Sequence, residues 1–270
     1  TAFGLTGDQL IDAMTQGTRW VLGPDRTVDW SVANGANGEV WANINVVSQY
    51  ADQMLQTFSV YANIRFSYVG AFFNPYAAYL GGSEITLTLS ANPFVFPSAG
   101  IWALAVFPGT TNNYYTGDFG DVFMNVRGPL NFSPSYAPGS AGWMVFLHEF
   151  GHALGLKHPH DSGGTGRPTF ASLSISGLDS DVATIMSYVD GYDWNRVQWD
   201  PATPMILDVL ALQYLYGKNM QTNAGNTSYE LFRSNMYSTL WDASGTDTVT
   251  VASQPEGWRI ELPDLALSRL

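Results

Sequence analysis

One run, His148-Glu149-Phe150-Gly151-His152-Ala153-Leu154-Gly155-Leu156-Lys157-His158, constrains this chain more than any other. His148 and His152 are four apart, so a helix places them one turn apart on the same face. From that rigid support two imidazole nitrogens can reach one ion. Glu149 follows His148 directly, which lets its carboxylate reach a water on that ion without ligating it. Gly155 lacks a Cβ, so it can end the helix in the left-handed conformation and turn the chain back. His158 then comes round to the same ion on a short loop. Three nitrogens leave a fourth tetrahedral position for water, which separates a catalytic zinc site from a closed structural one. The chain holds only four histidines, and three fall in this run. Buried without a metal, each imidazole would need its own hydrogen-bond partners. The spacing predicts zinc.

Downstream lies Thr184-Ile185-Met186-Ser187-Tyr188. The long zinc motif followed by this turn resembles the metzincin clan. The resemblance makes Met186 an apolar floor beneath the zinc histidines, a place that suits its soft, unbranched side chain. Within the clan, His158-Pro159 and Ser187-Tyr188 resemble the serralysin family of secreted bacterial proteases. That resemblance implies that Tyr188 ligates zinc at rest and swings away to hydrogen-bond the tetrahedral intermediate. A partly buried structural tyrosine is the plainer alternative. It also implies an α+β fold: a metzincin-like catalytic domain over residues 1–218, with a twisted mixed sheet and a zinc-binding helix. A short, mostly β segment over residues 219–270 would follow.

Composition agrees. A chain of 270 residues can bury a sizeable core. It has no cysteine, so an extracellular enzyme of this sequence would gain stability from packing and metals rather than disulfides. The net charge of −12 argues against nucleic acid or an anionic membrane as partner and leaves carboxylates for calcium. No apolar run approaches the length of a membrane span, and no basic segment leads into an apolar stretch at the start. The expectation is a secreted, extracellular monomer whose partners are polypeptide substrates and a proteinaceous inhibitor; either Thr1 is a boundary left by processing or by the choice of chain, or the export signal lies elsewhere.

Before the zinc run, Thr27 to Val32, Ile64 to Val69, Glu84 to Leu89, Ile101 to Phe107 and Asp121 to Val126 read as strands. Between them Ile44, Val47, Ala51, Met54, Leu55 and Phe58 repeat at helical spacing. By resemblance, Ile101 to Phe107 is an edge strand that pairs with extended substrate, which makes Trp102, Ala103 and Ala105 substrate-binding candidates. The alternative is an interior strand with both edges paired. After the zinc run the chain is mostly loop. Asp161 is either a hydrogen-bond partner orienting a ligand or simply a polar turn, and His160 reads as a solvated loop residue. Thr203-Pro204 reads as the opening of a last helix, with Thr203 as cap. Its buried face would comprise Ile206, Leu207, Leu210, Ala211, Tyr214 and Leu215, and Gly217 would end it.

Trp241-Asp242-Ala243-Ser244-Gly245-Thr246-Asp247-Thr248 resembles the entry into the serralysin calcium-binding β-roll. By that match Asp242 and Asp247 bind calcium with backbone oxygens of Asn223, Gly225, Thr227 and Ser244, an all-oxygen set that calcium prefers. An Asp/Gly turn between strands is the alternative. No glycine-rich nonapeptide array follows before Leu270, so the expected roll is truncated or reduced. The function implied is a zinc endopeptidase in which Glu149 is general base and acid. Two other readings stay open: a metal-binding but inactive binding or toxin module, and a different metzincin. Astacins usually carry disulfides and matrixins usually lack a tyrosine at the place of Tyr188.

Overall fold

Five strands carry the fold of the computed structural model, which describes residues 1–110, 114–128, 136–163, 165–192, 197–231 and 234–251. They are β1 (Thr27–Ala33), β2 (Arg65–Phe72), β3 (Ile85–Ser90), β4 (Ala103–Ala105) and β5 (Val122–Asn125). They form one sheet in the order β2-β1-β3-β5-β4. The first four neighbours run parallel, and only β4 is antiparallel, to β5. A mostly parallel sheet with one antiparallel edge strand is a common mixed form. Central β3 is buried throughout and reads ITLTLS, apolar and β-branched as a strand covered on both faces should be. Its polar groups are hydrogen-bonded: the backbone N–H of Thr86 donates to Asp121 Oδ1.

Helix α2 (Ile44–Tyr61) is capped by the Asn43 side chain, which accepts from Val46 N. It buries Val47, Ala51, Met54, Leu55, Phe58 and Tyr61, while Ile44 at its start is only partly buried against the core. Helix α4 (Ala141–Ala153) carries the zinc run and is capped by Ser140. It packs between α2 and the β4 edge of the sheet. The main core lies on the face of the sheet that carries Val28, Trp30 and Val32 of β1 and joins it to Phe146, Leu147 and Phe150 of α4, while Val95, Phe96, Val106 and Phe123 form a separate, smaller cluster. A mixed sheet with a few helices is compatible with the catalytic domain of a metzincin.

Several sequence expectations need correction. Helices α1 (Gln9–Met14) and α3 (Pro75–Leu80) were not expected; both are one to two turns long, too short to show a period. Their caps are the legible signal: Asp8 accepts from Leu10 N and Ile11 N, and Asn74 precedes a proline in the first turn. The strand expected over Ile101 to Phe107 shrinks to Ala103–Ala105. Helix α5 spans Ile206–Tyr216 and starts later than Thr203 predicts, with Met205 as its cap residue. The Thr203 hydroxyl instead donates to Pro204 O and accepts from Thr239 N. Tyr214 is exposed, whereas Asp208, Val209, Leu212 and Tyr216 are buried, because α5 is apolar nearly all round.

After α5 the chain forms β6 (Ser228–Glu230) and β7 (Thr248–Thr250), a parallel two-stranded pair. This segment is tied back to α2: Asn219 N donates to Tyr61 O, and the Tyr61 hydroxyl donates to Thr239 O at 2.6 Å. The stretch expected to continue as β-roll beyond residue 251 lies outside the described residues.

Candidate metal centre

The zinc run ends in a Schellman turn. Gly155 N donates to His152 O and Leu156 N to Gly151 O, each at 2.9 Å. Gly155 sits at φ 102°, and a Cβ there would lie 2.4 Å from Thr18 O. Glycine is required on both counts. The turn brings His158 back over the helix, and its Nε2 lies 3.0 Å from Nε2 of both His148 and His152.

The opposite ring nitrogens settle the tautomers. His148 Nδ1 lies 2.7 Å from Ile185 O and His152 Nδ1 lies 2.8 Å from Leu156 O. A carbonyl can only accept, so both Nδ1 atoms carry the proton. His158 Nδ1 donates in the same way to Asp161 Oδ2 at 2.7 Å. Burial, with repulsion between neighbouring imidazoles next, pushes the pKa of His148 and of His152 down to about 3 and that of His158 to about 4. Neutral rings with Nδ1 protonated present three Nε2 lone pairs to one another, with no proton between them. Such a convergence repels itself unless a cation sits at its centre. Three neutral imidazoles, each oriented by an acceptor behind it, fit zinc.

Glu149 is buried beside this triad. Its carboxylate accepts from the backbone N–H of Ala105, and Oε2 has no partner among the described residues. Burial, opposed by the Ala105 bond, raises its pKa to about 8; a divalent cation at the imidazoles would draw it back down. Tyr188 is exposed but packs its ring over the ligands, stacked on His148 at 5.5 Å and tilted on His158 at 4.6 Å. Burial of its hydroxyl, then the Glu149 charge, pushes its pKa up to about 12. Met186 is fully buried, and a Cβ on Gly151, between the two helical ligands, would meet its Sδ at 2.6 Å.

Strand β4 forms the edge of the sheet. Trp102 O accepts from Asn125 N, and Val106 N donates to Asp121 O. Main-chain groups alternate along a strand, so those of Ala103 and Ala105 point away from β5 to the open edge. The Ala105 N–H is taken by Glu149, a use the sequence did not suggest.

Serralysin C of Dickeya chrysanthemi is 32% identical over 263 residues, which cover 88% of this chain and 50% of that protein. Serralysin A of the same organism is 30% identical over 266 residues, covering 88% of this chain and 49% of its own length. Metallopeptidase AprA of Pseudomonas marginalis is 30% identical over 192 residues, 63% of this chain and 39% of that protein. This chain belongs to the serralysin-type metalloproteases. It spans about half the length of the curated serralysins it matches over most of its own. No family model matches it.

In this serralysin-type chain the residues that sequence reasoning passed over stand behind the ligands. Asp208 is fully buried and accepts from Thr184 Oγ1 at 2.6 Å, Ile185 N at 2.8 Å and Met205 N at 2.7 Å. Burial raises its pKa to about 7 against those three donors. It thereby fixes the turn whose Ile185 carbonyl orients His148. The legible signal was one carboxylate inside the apolar run from Met205 to Leu212. Asp161 both orients His158 and accepts from Gly163 N, so the polar turn and the orienting partner are one residue. His160 is an exposed loop residue, as expected, yet it stacks on His158 with centroids 4.9 Å apart.

The residues read as calcium ligands also meet. Thr227 Oγ1 lies 3.3 Å from Asn223 O and 3.4 Å from Gly225 O, and Thr227 N donates to Asp247 Oδ1. Asp242 Oδ1 accepts from Ser244 N, and Ser244 O accepts from Gly225 N.

Proposed function

We propose that this chain is a secreted zinc endopeptidase that hydrolyses extended polypeptide. The observation that carries the reading is the pairing of three convergent Nε2 atoms with a buried carboxylate oxygen, Glu149 Oε2, that no described group satisfies. Bound at His148, His152 and His158, zinc supplies Lewis acidity and brings the pKa of a ligating water toward neutrality. Glu149 takes a proton from the attacking water and delivers it to the leaving amine, one group serving as base and then acid. The Tyr188 hydroxyl, over the ligand rings, donates a hydrogen bond to the developing oxyanion. Ala103, on the open edge of β4, offers main-chain hydrogen bonds to substrate lying antiparallel, beside Trp102. Ala105 belongs to the same edge but also holds Glu149.

A structural calcium ion at Asp242 and Asp247, with carbonyls of Asn223, Gly225, Thr227 and Ser244, belongs to the same proposal. The carbonyls that converge on the Thr227 hydroxyl are the oxygen donors such an ion takes. The entry into a β-roll would then start at residue 219.

The test is casein hydrolysis by zinc-loaded protein with and without a chelator, alongside Glu149→Gln. The variant should retain zinc and lose roughly 10²–10⁴-fold in rate. Wild-type turnover in Glu149→Gln would sink the proposal.

A further inference from the structure

A cavity of about 430 Å³ opens beside the metal centre, between the start of β4, helix α4 and the loop after Met186. His148 and Glu149 form one end. Ile101, Trp102, Met144 and Val145 give apolar walls, and two carboxylates, Asp181 and Asp190, complete the lining. No lysine or arginine lines it among the described residues.

Asp181 is an unusual wall residue. It is only 2% exposed. Its Oδ1 accepts from Gly191 N at 2.6 Å, and its N donates to Val189 O, so the side chain is held in one place. Its Oδ2 is buried without a partner among the described residues. Burial, and next the charges of Asp190 and Asp200, raise its pKa to about 6. A buried carboxylate oxygen facing like charges is costly unless a cation joins it. A cavity with apolar walls whose lining also includes the buried Asp181 and the exposed Asp190 matches a side chain with an alkyl stem and a cationic head.

We propose that Asp181, with Asp190, selects a lysine or arginine side chain next to the scissile bond. This rests on the endopeptidase reading. With substrate antiparallel to β4 and the bond near Ala105 and Glu149, the residues before Ala105 face substrate beyond the bond. The basic residue is therefore the first on the C-terminal side.

Internally quenched peptides differing only at that position, with Arg, Lys, Leu or Glu, test it in the zinc-loaded protein. Arg and Lys should exceed Leu by about tenfold in kcat/KM, mostly through KM, with Glu lowest. In Asp181→Asn, which keeps the acceptor for Gly191 N, the Arg-to-Leu ratio should fall to about one. Asp190→Asn, at an exposed residue, should lower the same ratio and guards against a folding defect in the first variant. Separately, n-butylguanidinium should bind the wild-type protein more tightly than Asp181→Asn by calorimetry, whether or not any peptide is cut. Cleavage with no basic preference, or equal n-butylguanidinium binding by both proteins, overturns the inference and leaves the protease reading standing. Selective n-butylguanidinium binding without cleavage supports a cation pocket and removes the protease reading instead.

Discussion

Replacing Asp208 by alanine should damage the metal centre although Asp208 touches none of its ligands. The carboxylate accepts from Thr184 Oγ1, Ile185 N and Met205 N. Ile185 and Met205 contribute backbone donors in a fully buried setting, where alanine leaves both unpaired. Each orphaned donor costs about 1–3 kcal/mol, so the pair alone removes roughly 4 kcal/mol. At about 2–4 °C per kcal/mol for a chain of this size class, Tm should fall by roughly 8–16 °C. Asp208→Asn separates the lost charge from the lost hydrogen bonds. It fills the same space and can keep an oxygen for Ile185 N and Met205 N while its NH2 faces the Thr184 hydroxyl, which can accept, so its loss should be well below that of alanine.

The metal should feel the change through one route. Asp208 holds the Thr184–Ile185 turn, and Ile185 O accepts from His148 Nδ1. Loosening that acceptor frees the ring to take the wrong tautomer, at a cost of about tenfold in zinc affinity. Differential scanning calorimetry gives the first number, and competition with a chromophoric chelator gives the second. A Tm within about 3 °C of wild type, or unchanged zinc affinity in a variant that melts early, would refute this reasoning.

Three further outcomes follow from the same geometry. In zinc-free protein, the folded imidazoles hold out to about 3–4 before protonating. Unfolded ones take protons below about 6.5. The unfolded state therefore binds more protons at these rings between those limits, but the buried carboxylates of Glu149 and Asp208, raised to about 8 and about 7, act on stability in the opposite sense. The rings themselves are therefore followed by NMR, and a His148, His152 or His158 signal that titrates at about 6.5 would contradict buried neutral ligands. Asp161→Asn, which takes the charge from behind His158, should weaken zinc binding by about tenfold in chelator competition with little change in Tm. Arg167 donates to Asp12 Oδ1, Thr15 Oγ1, Phe3 O and Gly4 O; Arg167→Met should cost about 3–5 kcal/mol by urea titration, because the buried Asp12 carboxylate loses its cation and keeps only the N–H donors of Thr6 and Gly7.

The zinc run was legible because its logic is local. Spacing on one helix fixes His148 and His152, and a glycine at positive φ fixes the return to His158. The strands were legible where β-branched residues filled a buried position, as in β1 and β3. Short elements escaped because one turn of helix carries no period, and α1 and α3 show only their caps. The far end of α5 was misjudged for a related reason. A helix apolar on nearly every side gives no stripe from which to choose a buried face, so Tyr214 and Tyr216 could not be told apart. The partners of Glu149 and His148 escaped for a different reason, since they are backbone groups of distant segments. Neither Ala105 N–H nor Ile185 O has a side-chain signature, and no spacing rule can find them.

That difference bears on how the site tolerates change. The three Nε2 atoms converge because each ring is oriented from behind, by Ile185 O, Leu156 O and Asp161. Those acceptors come from the turn after Ala183, from the helix end and from the loop beyond it. Glu149 is oriented from a fourth place, the open edge of β4. On the proposed mechanism, proline at Ala105 therefore does more than block the edge offered to substrate: it deletes the N–H donor to Glu149, the proposed base. An effect confined to KM would mean that the edge matters and the bond to Glu149 does not, whereas a fall in kcat as well would show that one N–H group couples substrate alignment to the proton shuttle.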